Sequence, residues 1–463
     1  MLDIYGRQVL VVGAGRSGIS AARLLKDKGA RVTLSDGMAS MSIRNLARLK
    51  DAGFIVERGS HGVLTFCRQN LIVVSPGIPL NIPEIVTART GGVHIIGEIE
   101  LAFNYLKGKM IAITGSNGKT TTSTLLAQIL ESNFGSTLLG GNIGPPLSDI
   151  VDLSTSDTWS VVEVSSFQLE TTETFRPHIA IVLNITPDHL DRHHSFEAYA
   201  DAKSYITRRQ TEHDYLIVNR DDKTACMIAS KTNARNYLFS SRGSVDQGVF
   251  VEDGHIVFKL FGTSEPEIVM SVTDIPIKGA HNIENILAAV CASRLAGVSS
   301  KVIRQAVSIF KAVEHRLESV CEINGVHYFN DSKATNVDAT VKALEAFSGG
   351  IWLILGGKDK DSDYKVLSRL LRDRVKAVIT IGSAAEKIEC QLTGIVKIER
   401  AGTLERAVSY AFSNSIRGDI VLLAPACSSF DQFDNYEHRG RIFKELVKCL
   451  NEKVKDGEEG RSR

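Results

Sequence analysis

Ile111-Ala112-Ile113-Thr114-Gly115-Ser116-Asn117-Gly118-Lys119-Thr120-Thr121-Thr122 is the stretch from which the rest of the chain can be read. A short apolar run ends in a glycine-containing turn, and Ser123 to Leu130 continues as a helix-compatible segment. In a strand–loop–helix of this kind, backbone N–H groups crowd round a phosphate, backed by the partial positive charge of the helix start. Gly115, Ser116, Asn117, Gly118 and Thr121 form the cradle of this reading; Lys119 can reach the β- and γ-phosphates, and Thr120 offers a hydroxyl to Mg²⁺. The first glycine of the general phosphate-loop pattern would fall at position 113, which is Ile. A plain surface turn is the competing reading. The placement between a buried-type strand and a helix argues against it.

The 463-residue chain is long for a single core and predicts two to four domains. Hydrophobic residues make up 43% and charged residues 23%, the composition of a globular enzyme. With 54 Lys plus Arg against 53 Asp plus Glu, the net charge of +1 gives no footprint for nucleic acid or an anionic membrane. No apolar run approaches the roughly 18 residues of a membrane span. The N-terminus, with Asp3 and Arg7, does not read as a signal peptide, so a cytoplasmic protein acting on small molecules, as a monomer, is expected. The seven cysteines are scattered, without a Cys-x-x-Cys pair, and are expected to be buried small hydrophobes in a reducing compartment. The polar tail from Glu452 is expected to fray.

At the N-terminus, the apolar run Gln8 to Val12 opens into Gly13-Ala14-Gly15-Arg16-Ser17-Gly18, a helix to about Lys28, a second strand from Arg31 and then Asp36. Read literally this is a dinucleotide fingerprint. Fewer than about 100 residues precede the phosphate-loop strand, too few for the two halves of a full dinucleotide fold. One small doubly wound unit fits, holding a single diphosphate near Arg16, Ser17 and Asp36; a nicotinamide cofactor and a merely structural turn stay open as alternatives.

Further along, Trp159 to Glu163 is a strand with a carboxylate at its end, placed to hold Mg²⁺ if it lies beside the phosphate loop. Asn184-Ile185-Thr186-Pro187-Asp188-His189-Leu190-Asp191-Arg192-His193-His194 lacks zinc-type spacing, and His193 and His194 are each expected at the surface. Lys203, in a helix from Phe196 to Thr207, reads on composition as a solvated lysine. Gly248 to Leu260 alternates about Glu252-Asp253-Gly254, a hairpin that predicts a small β annex. A helix follows Gly279, with Asn282 at its cap and Asn285 on the same face. Beyond Val313 come a hairpin joined by Asn324-Gly325, the run Asp331-Ser332-Lys333-Ala334-Thr335-Asn336, and strands at 351–355, 377–381 and 419–423 alternating with helices. Two strand-end loops stand out there: Gly356-Gly357-Lys358-Asp359-Lys360-Asp361, and Ala424 to Tyr436. Cys427 in the second reads as a buried thiol, with no histidine near it in sequence.

These motifs, in this order, resemble the Mur ligases, which add amino acids to the peptidoglycan precursor, and their folylpolyglutamate synthase relatives. The resemblance implies an α/β protein of three domains: a small Rossmann-like unit (1–97), a central ATPase-type parallel sheet with the β annex (98–312), and a second Rossmann-like unit (313–463). It implies ATP and two Mg²⁺ ions as cofactors, with Thr120, Glu163, His189 and Lys203 as metal ligands and Lys119, His189 and Lys203 as catalytic residues. Lys203 would carry a carbamate formed from CO₂, which requires a neutral amine. Asn282, Asn285, Arg316 and Asp331 would contact ATP; Arg16, Ser17, Asp36, Asn142, Ser165 and His189 would hold the UDP-linked precursor. Ala424-Pro425-Ala426-Cys427-Ser428-Ser429-Phe430-Asp431-Gln432-Phe433 is similar to the loop of the D-glutamate-adding member, with Ala424 where that loop has Ser. The Asp-Asn-Pro-Arg motif of the diaminopimelate and lysine adders is absent. The expected amino-acid site is therefore Lys333, Thr335, Lys360, Ser429 and Tyr436, with Lys358 competing for the role of Lys360.

Overall fold

The computed structural model describes residues 2–37, 49–51, 53–59, 62–263, 265–277, 279–311 and 314–459. Contacts divide the chain into two units. Met1–Ile185, Ala200–Asp274 and Glu284–Ser308 form the first, and Thr186–Tyr199, Ile275–Ile283 and Ile309–Arg463 the second. The domain change expected near Val313 falls outside the described residues.

The first unit holds two sheets. One is five-stranded and parallel, built from β1 (Gln8–Val12), β2 (Arg31–Asp36), β3 (Ile55–Arg58), β4 (Leu71–Val74) and β5 (His94–Gly97) in the order β3-β2-β1-β4-β5. Val9 to Val12 are fully buried because a parallel strand in the middle of such a sheet is covered on both faces. Helix α1 (Arg16–Asp27) follows β1 directly and buries Ala21, Ala22, Leu24 and Leu25 against it.

The second sheet has nine strands. They are β6 (Lys109–Thr114), β7 (Thr137–Gly141), β8 (Trp159–Glu163), β9 (Ile179–Val182), β10 (Tyr215–Asn219), β11 (Arg235–Ser240), β12 (Gly248–Glu252), β13 (His255–Lys259) and β14 (Glu267–Ser271). Their order is β14-β13-β12-β11-β10-β9-β6-β8-β7. The hairpin about Asp253-Gly254 forms, with both residues at positive φ as its tight turn requires. It does not make a separate annex. Strand β12 pairs parallel with β11, so the hairpin and β14 extend the central sheet at one edge. Helix α2 (Lys119–Phe134) springs from β6 through the phosphate-loop sequence. Helix α3 (Phe196–Ser204) ends in a 3₁₀ turn over Tyr205–Thr207. Helix α4 (Ala280–Leu295) closes on Gly297 at φ +94°, the left-handed position expected after a helix. It starts at Ala280, so Asn282 lies inside the first turn and not at the cap.

In the second unit, β15 (Glu318–Ile323) and β16 (Val326–Asn330) form the Asn324-Gly325 hairpin. They continue into a mixed sheet with β17 (Ile351–Gly356), β18 (Val375–Ile381), β19 (Ile398–Gly402) and β20 (Ile420–Leu423), ordered β15-β16-β20-β17-β18-β19. Apolar layers cover both faces, one around Leu353, Leu355 and Tyr364 and the other around Trp352, Ile379 and Phe443. Of the tail expected to fray, residues 452–459 are instead the end of a long helix, α5 (Tyr436–Glu459), and residues 460–463 lie outside the described residues. Among the described residues no helix is long and apolar enough to cross a membrane.

Candidate functional site

In the first unit, strand order builds the site. β6 lies between β8 and β9, so the turn after β6 sits among the carboxyl ends of three parallel strands. Gly118, at φ +86°, is the cap of α2, and a Cβ there would meet Asn285 Oδ1 at 2.1 Å. Only glycine lets the loop turn left-handed and pass that close to α4. Asn184, just past β9, accepts from the Asn117 N–H at 2.8 Å and donates to its carbonyl at 3.1 Å, while its own carbonyl accepts from Ser116 N–H. Thr121 is buried beneath the turn, and Lys119 Nζ folds over it, donating to the carbonyls of Gly115 and Ser116 at 2.8 and 2.9 Å.

Glu163 is buried and not solvent-facing. It accepts from Thr120 Oγ1 at 3.0 Å on one oxygen and from Asn142 Nδ2 at 2.7 Å on the other. Lys203 is also buried, 2% exposed, and donates to Gly115 O at 2.9 Å and Thr114 Oγ1 at 3.4 Å. This overturns the solvated-lysine reading: α3 delivers the amine under the phosphate loop. The glycine cradle, the lysine over it and the hard oxygens of Thr120 and Glu163 fit a nucleotide phosphate with Mg²⁺.

At the first glycine turn, Ala14 N–H donates to Asp36 Oδ2 at 2.7 Å, and Arg16 Nη2 donates to Gly144 O at 2.9 Å. Ser17 is the second residue of α1. Ser165 caps a short helix, exchanging hydrogen bonds with Gln168.

In the second unit, the loops after β16, β17 and β20 lie side by side because those strands are neighbours. Lys358 and Ser428 pair through their backbones, and Ala426 N–H donates to Ala334 O. Lys333 Nζ sits 3.8 Å from the centre of the Tyr436 ring. Thr335 N–H donates to Lys333 O, and Ser429 is buried in the adjoining loop. Lys360 is 3.0 Å from Asp188, whose second oxygen accepts from Asn336. Burial works against the charge of Asp188, but Lys360 and His189 beside it, with the donors of Asn336 and Lys360, hold its carboxyl well below the usual range. His189, at φ 55°, starts the short helix Leu190–His193. His193 is buried edge-on against Tyr199, contrary to the surface expectation, whereas His194 is exposed.

Burial pushes Asp331 up to about 7, against the pull of Arg316 and the Leu317 N–H. Arg316 Nε is buried without a hydrogen-bond partner among the described residues. Burial, with Lys342 and Arg316 nearby, lowers His281, beside Asn282, to about 4. Cys427 is buried as expected, its thiol 3.0 Å from Tyr364 Oη and pushed by burial up to about 12. Cys67, Cys390 and Cys449 are exposed, contrary to the expectation of burial.

Three residues escaped the motif reading. Asn184 and Asp188 lie inside a quoted motif, but their partners are set by neighbouring strands. Arg439, fully buried in α5, donates to Ser332 O and Oγ and to Cys427 O, tying two loops of the site together. Its only sequence signal is an arginine on the inner face of a helix start.

Three family models match the chain in order. They are the Mur ligase MurD-like N-terminal domain over 7–97, the Mur ligase middle domain over 113–293, and the Mur ligase glutamate ligase domain over 315–427. A relative from Acidobacterium capsulatum, named UDP-N-acetylmuramoylalanine--D-glutamate ligase, is 57% identical over 96% of this chain and 97% of its own. The chain belongs to the Mur ligase family. A protein of the same name from Koribacter versatilis is 54% identical over 98% of this chain and 100% of its own. Among solved structures, a pseudomurein peptide ligase type C from Methanothermus fervidus has a TM-score of 0.61 at 20% identity, covering 96% of this chain and 100% of that one. A UDP-N-acetylmuramate-alanine ligase from Thermotoga maritima gives 0.61 at 18%, with 96% and 100% covered. At such identities these two speak for the fold, three α/β domains of the Mur ligase type.

Proposed function

We propose that this chain is an ATP-dependent ligase that joins D-glutamate to the alanyl carboxyl of UDP-N-acetylmuramoyl-L-alanine, a step of peptidoglycan precursor synthesis. The observation that carries the reading is the 57% identity, over nearly the full length, to a relative bearing that name. The domains are assigned as 1–97 for the UDP-precursor, 98–312 for ATP and Mg²⁺, and 313–463 for the amino acid. In the reaction, an oxygen of the alanyl carboxylate attacks the γ-phosphorus and ADP leaves. The neutral amine of D-glutamate attacks the acyl phosphate so formed, and the tetrahedral intermediate expels phosphate.

Lys119 leaves the loop carbonyls to meet the developing charge on the transferring phosphoryl group. Gly115 to Thr121, Asn282, Asn285, Arg316 and Asp331 hold the nucleotide. Arg16, Ser17, Asp36, Asn142, Ser165 and His189 hold the precursor. Two Mg²⁺ ions would be held by Thr120, Glu163, His189 and a carbamate on Lys203, and when bound they neutralise phosphate charge. The buried, carbonyl-facing amine of Lys203 supports the carbamate, since burial favours the neutral form that CO₂ needs. Lys333, Thr335, Lys360, Ser429 and Tyr436 give a doubly acidic amino acid the cations and hydroxyl donors it requires. The test is ADP release with the alanyl precursor present, comparing D-glutamate, L-glutamate, L-alanine and meso-diaminopimelate. Preference for any amino acid but D-glutamate overturns the specificity; ADP release independent of all four overturns the ligase reading.

A further inference from the structure

We propose that Arg16 is a positioning residue that links the precursor's diphosphate to the metal carboxylate Glu163, making precursor and Mg·nucleotide bind with positive linkage. The inference rests on the reading that the first glycine turn holds a diphosphate. Arg16 is the first residue of α1, whose N-terminal N–H groups have no side-chain cap and whose first turn has no acid. An anion at that helix start lies within the reach of its guanidinium. Yet the same side chain crosses to the turn after β7, where Nη2 donates to Gly144 O at 2.9 Å. Among the described residues the guanidinium has no other hydrogen-bond partner, leaving most of its five donors for a ligand.

What Arg16 holds is a glycine turn with a consequential neighbour. Gly141 and Gly144 are both left-handed, at φ +104° and +68°, and the turn is closed by Gly141 N–H to Pro145 O at 3.0 Å. Between them stands Asn142. Its N–H donates to Glu163 O at 2.8 Å and its side chain to Glu163 Oε1 at 2.7 Å, while Glu163 Oε2 accepts from Thr120 at 3.0 Å. A continuous run of contacts therefore leads from α1 to the phosphate loop. Arg16 is exposed, so without a ligand its one bond to Gly144 competes with water and with the side chain's own rotamer freedom. A diphosphate gripping the other edge of the guanidinium fixes that rotamer. The turn is then ordered, which lowers what metal and nucleotide binding must order. Linkage makes the effect reciprocal.

The test uses the full chain and its Arg16→Leu and Arg16→Lys variants. Hydrogen exchange is followed at residues 140–146, and Mg·ADP affinity is measured with and without saturating UDP-N-acetylmuramoyl-L-alanine. In the wild type, the precursor should slow exchange at Gly141 and Asn142 and tighten Mg·ADP by about fivefold or more, the lower end of a typical linkage. Arg16→Leu should still saturate with precursor at higher concentration but show neither effect; Arg16→Lys, with a single ammonium in place of the fork, should restore only part of them. Linkage that persists undiminished in Arg16→Leu overturns the proposal, as does a wild type in which the turn is not slowed. An Arg16→Leu chain that cannot be saturated makes Arg16 a ligand only and also overturns it. Failure of the underlying reading has its own signature: UDP would then give no exchange protection at residues 13–18 of the wild type.

Discussion

Lys119, Lys203 and Asp188 carry the most chemistry per residue, and each makes its own prediction. Lys119 needs no large movement to leave two loop carbonyls for a phosphate oxygen. Lys119→Ala should lower kcat by about 10²–10³, the loss typical of one electrostatic group in a transition state; steady-state ADP release measures it. Lys203 is buried and donates to two neutral oxygens, at 2.9 and 3.4 Å. Intact-mass measurement under native, CO₂-containing conditions should show a gain of one CO₂, lost in Lys203→Ala. Asp188 fixes Lys360 through a charge-assisted contact at 3.0 Å. Asp188→Asn keeps the shape and loses the charge, so the KM for D-glutamate should rise about 10-fold or more, the worth of one charged hydrogen bond. The KM for ATP should stay unchanged. The identities of Lys119 and Lys203 were readable from motifs; the burial of Lys203 was not, since a helix lysine declares its face only once the helix is packed.

At the scale of elements, the central strands were legible and the marginal ones were not. β1, β4, β6 and β17 are continuous apolar runs, as strands covered on both faces must be. β3, β5 and β19 lie at sheet edges, short and partly polar, and nothing in four or five residues distinguishes them from loop. The β12–β13 hairpin was visible from its turn, but pairing with β11 is non-local and left no trace in the pattern. A less obvious element is the six-residue helix Glu98–Phe103, which leaves β5 and carries a fully buried carboxylate. Glu98 accepts from the Ser148 N–H and hydroxyl on one oxygen, while Oε2 has no partner among the described residues. Burial raises its pKa from 4.5 to about 6, so the folded chain holds this proton more tightly than the unfolded one. The stability due to the neutral acid is complete below pH 4.5 and falls by about 2 kcal/mol as the pH rises through 6. Glu98→Gln should flatten that part of the Tm–pH curve and melt higher than the wild type at pH 8. Parallel curves would dismiss Glu98 as the cause.

For the whole molecule, the succession of three α/β sheets could be inferred from motif order, whereas the interleaving of the chain could not. It passes between the two units after residues 185, 199, 274, 283 and 308, so the second unit borrows Thr186–Tyr199 and Ile275–Ile283 from within the sequence of the first. A cut at 308 therefore does not yield two autonomous halves. The 309–463 fragment lacks Asp188 and His281, and should show broadened thermal unfolding and poorer amide dispersion than the same residues in the full chain. A fragment with full-chain dispersion would contradict this.

The Asp188–Lys360 contact also sets a clock for biosynthesis. Its partners are 172 residues apart, so at about 5–20 residues per second the carboxylate is made roughly 9–34 s before its cation. Through that interval the nascent segment must keep Asp188 wet, and any collapse that buries it early strands a charge. The timing favours an order of events in which the phosphate-loop sheet condenses first and leaves residues 186–199 in solvent until the last third of the chain arrives.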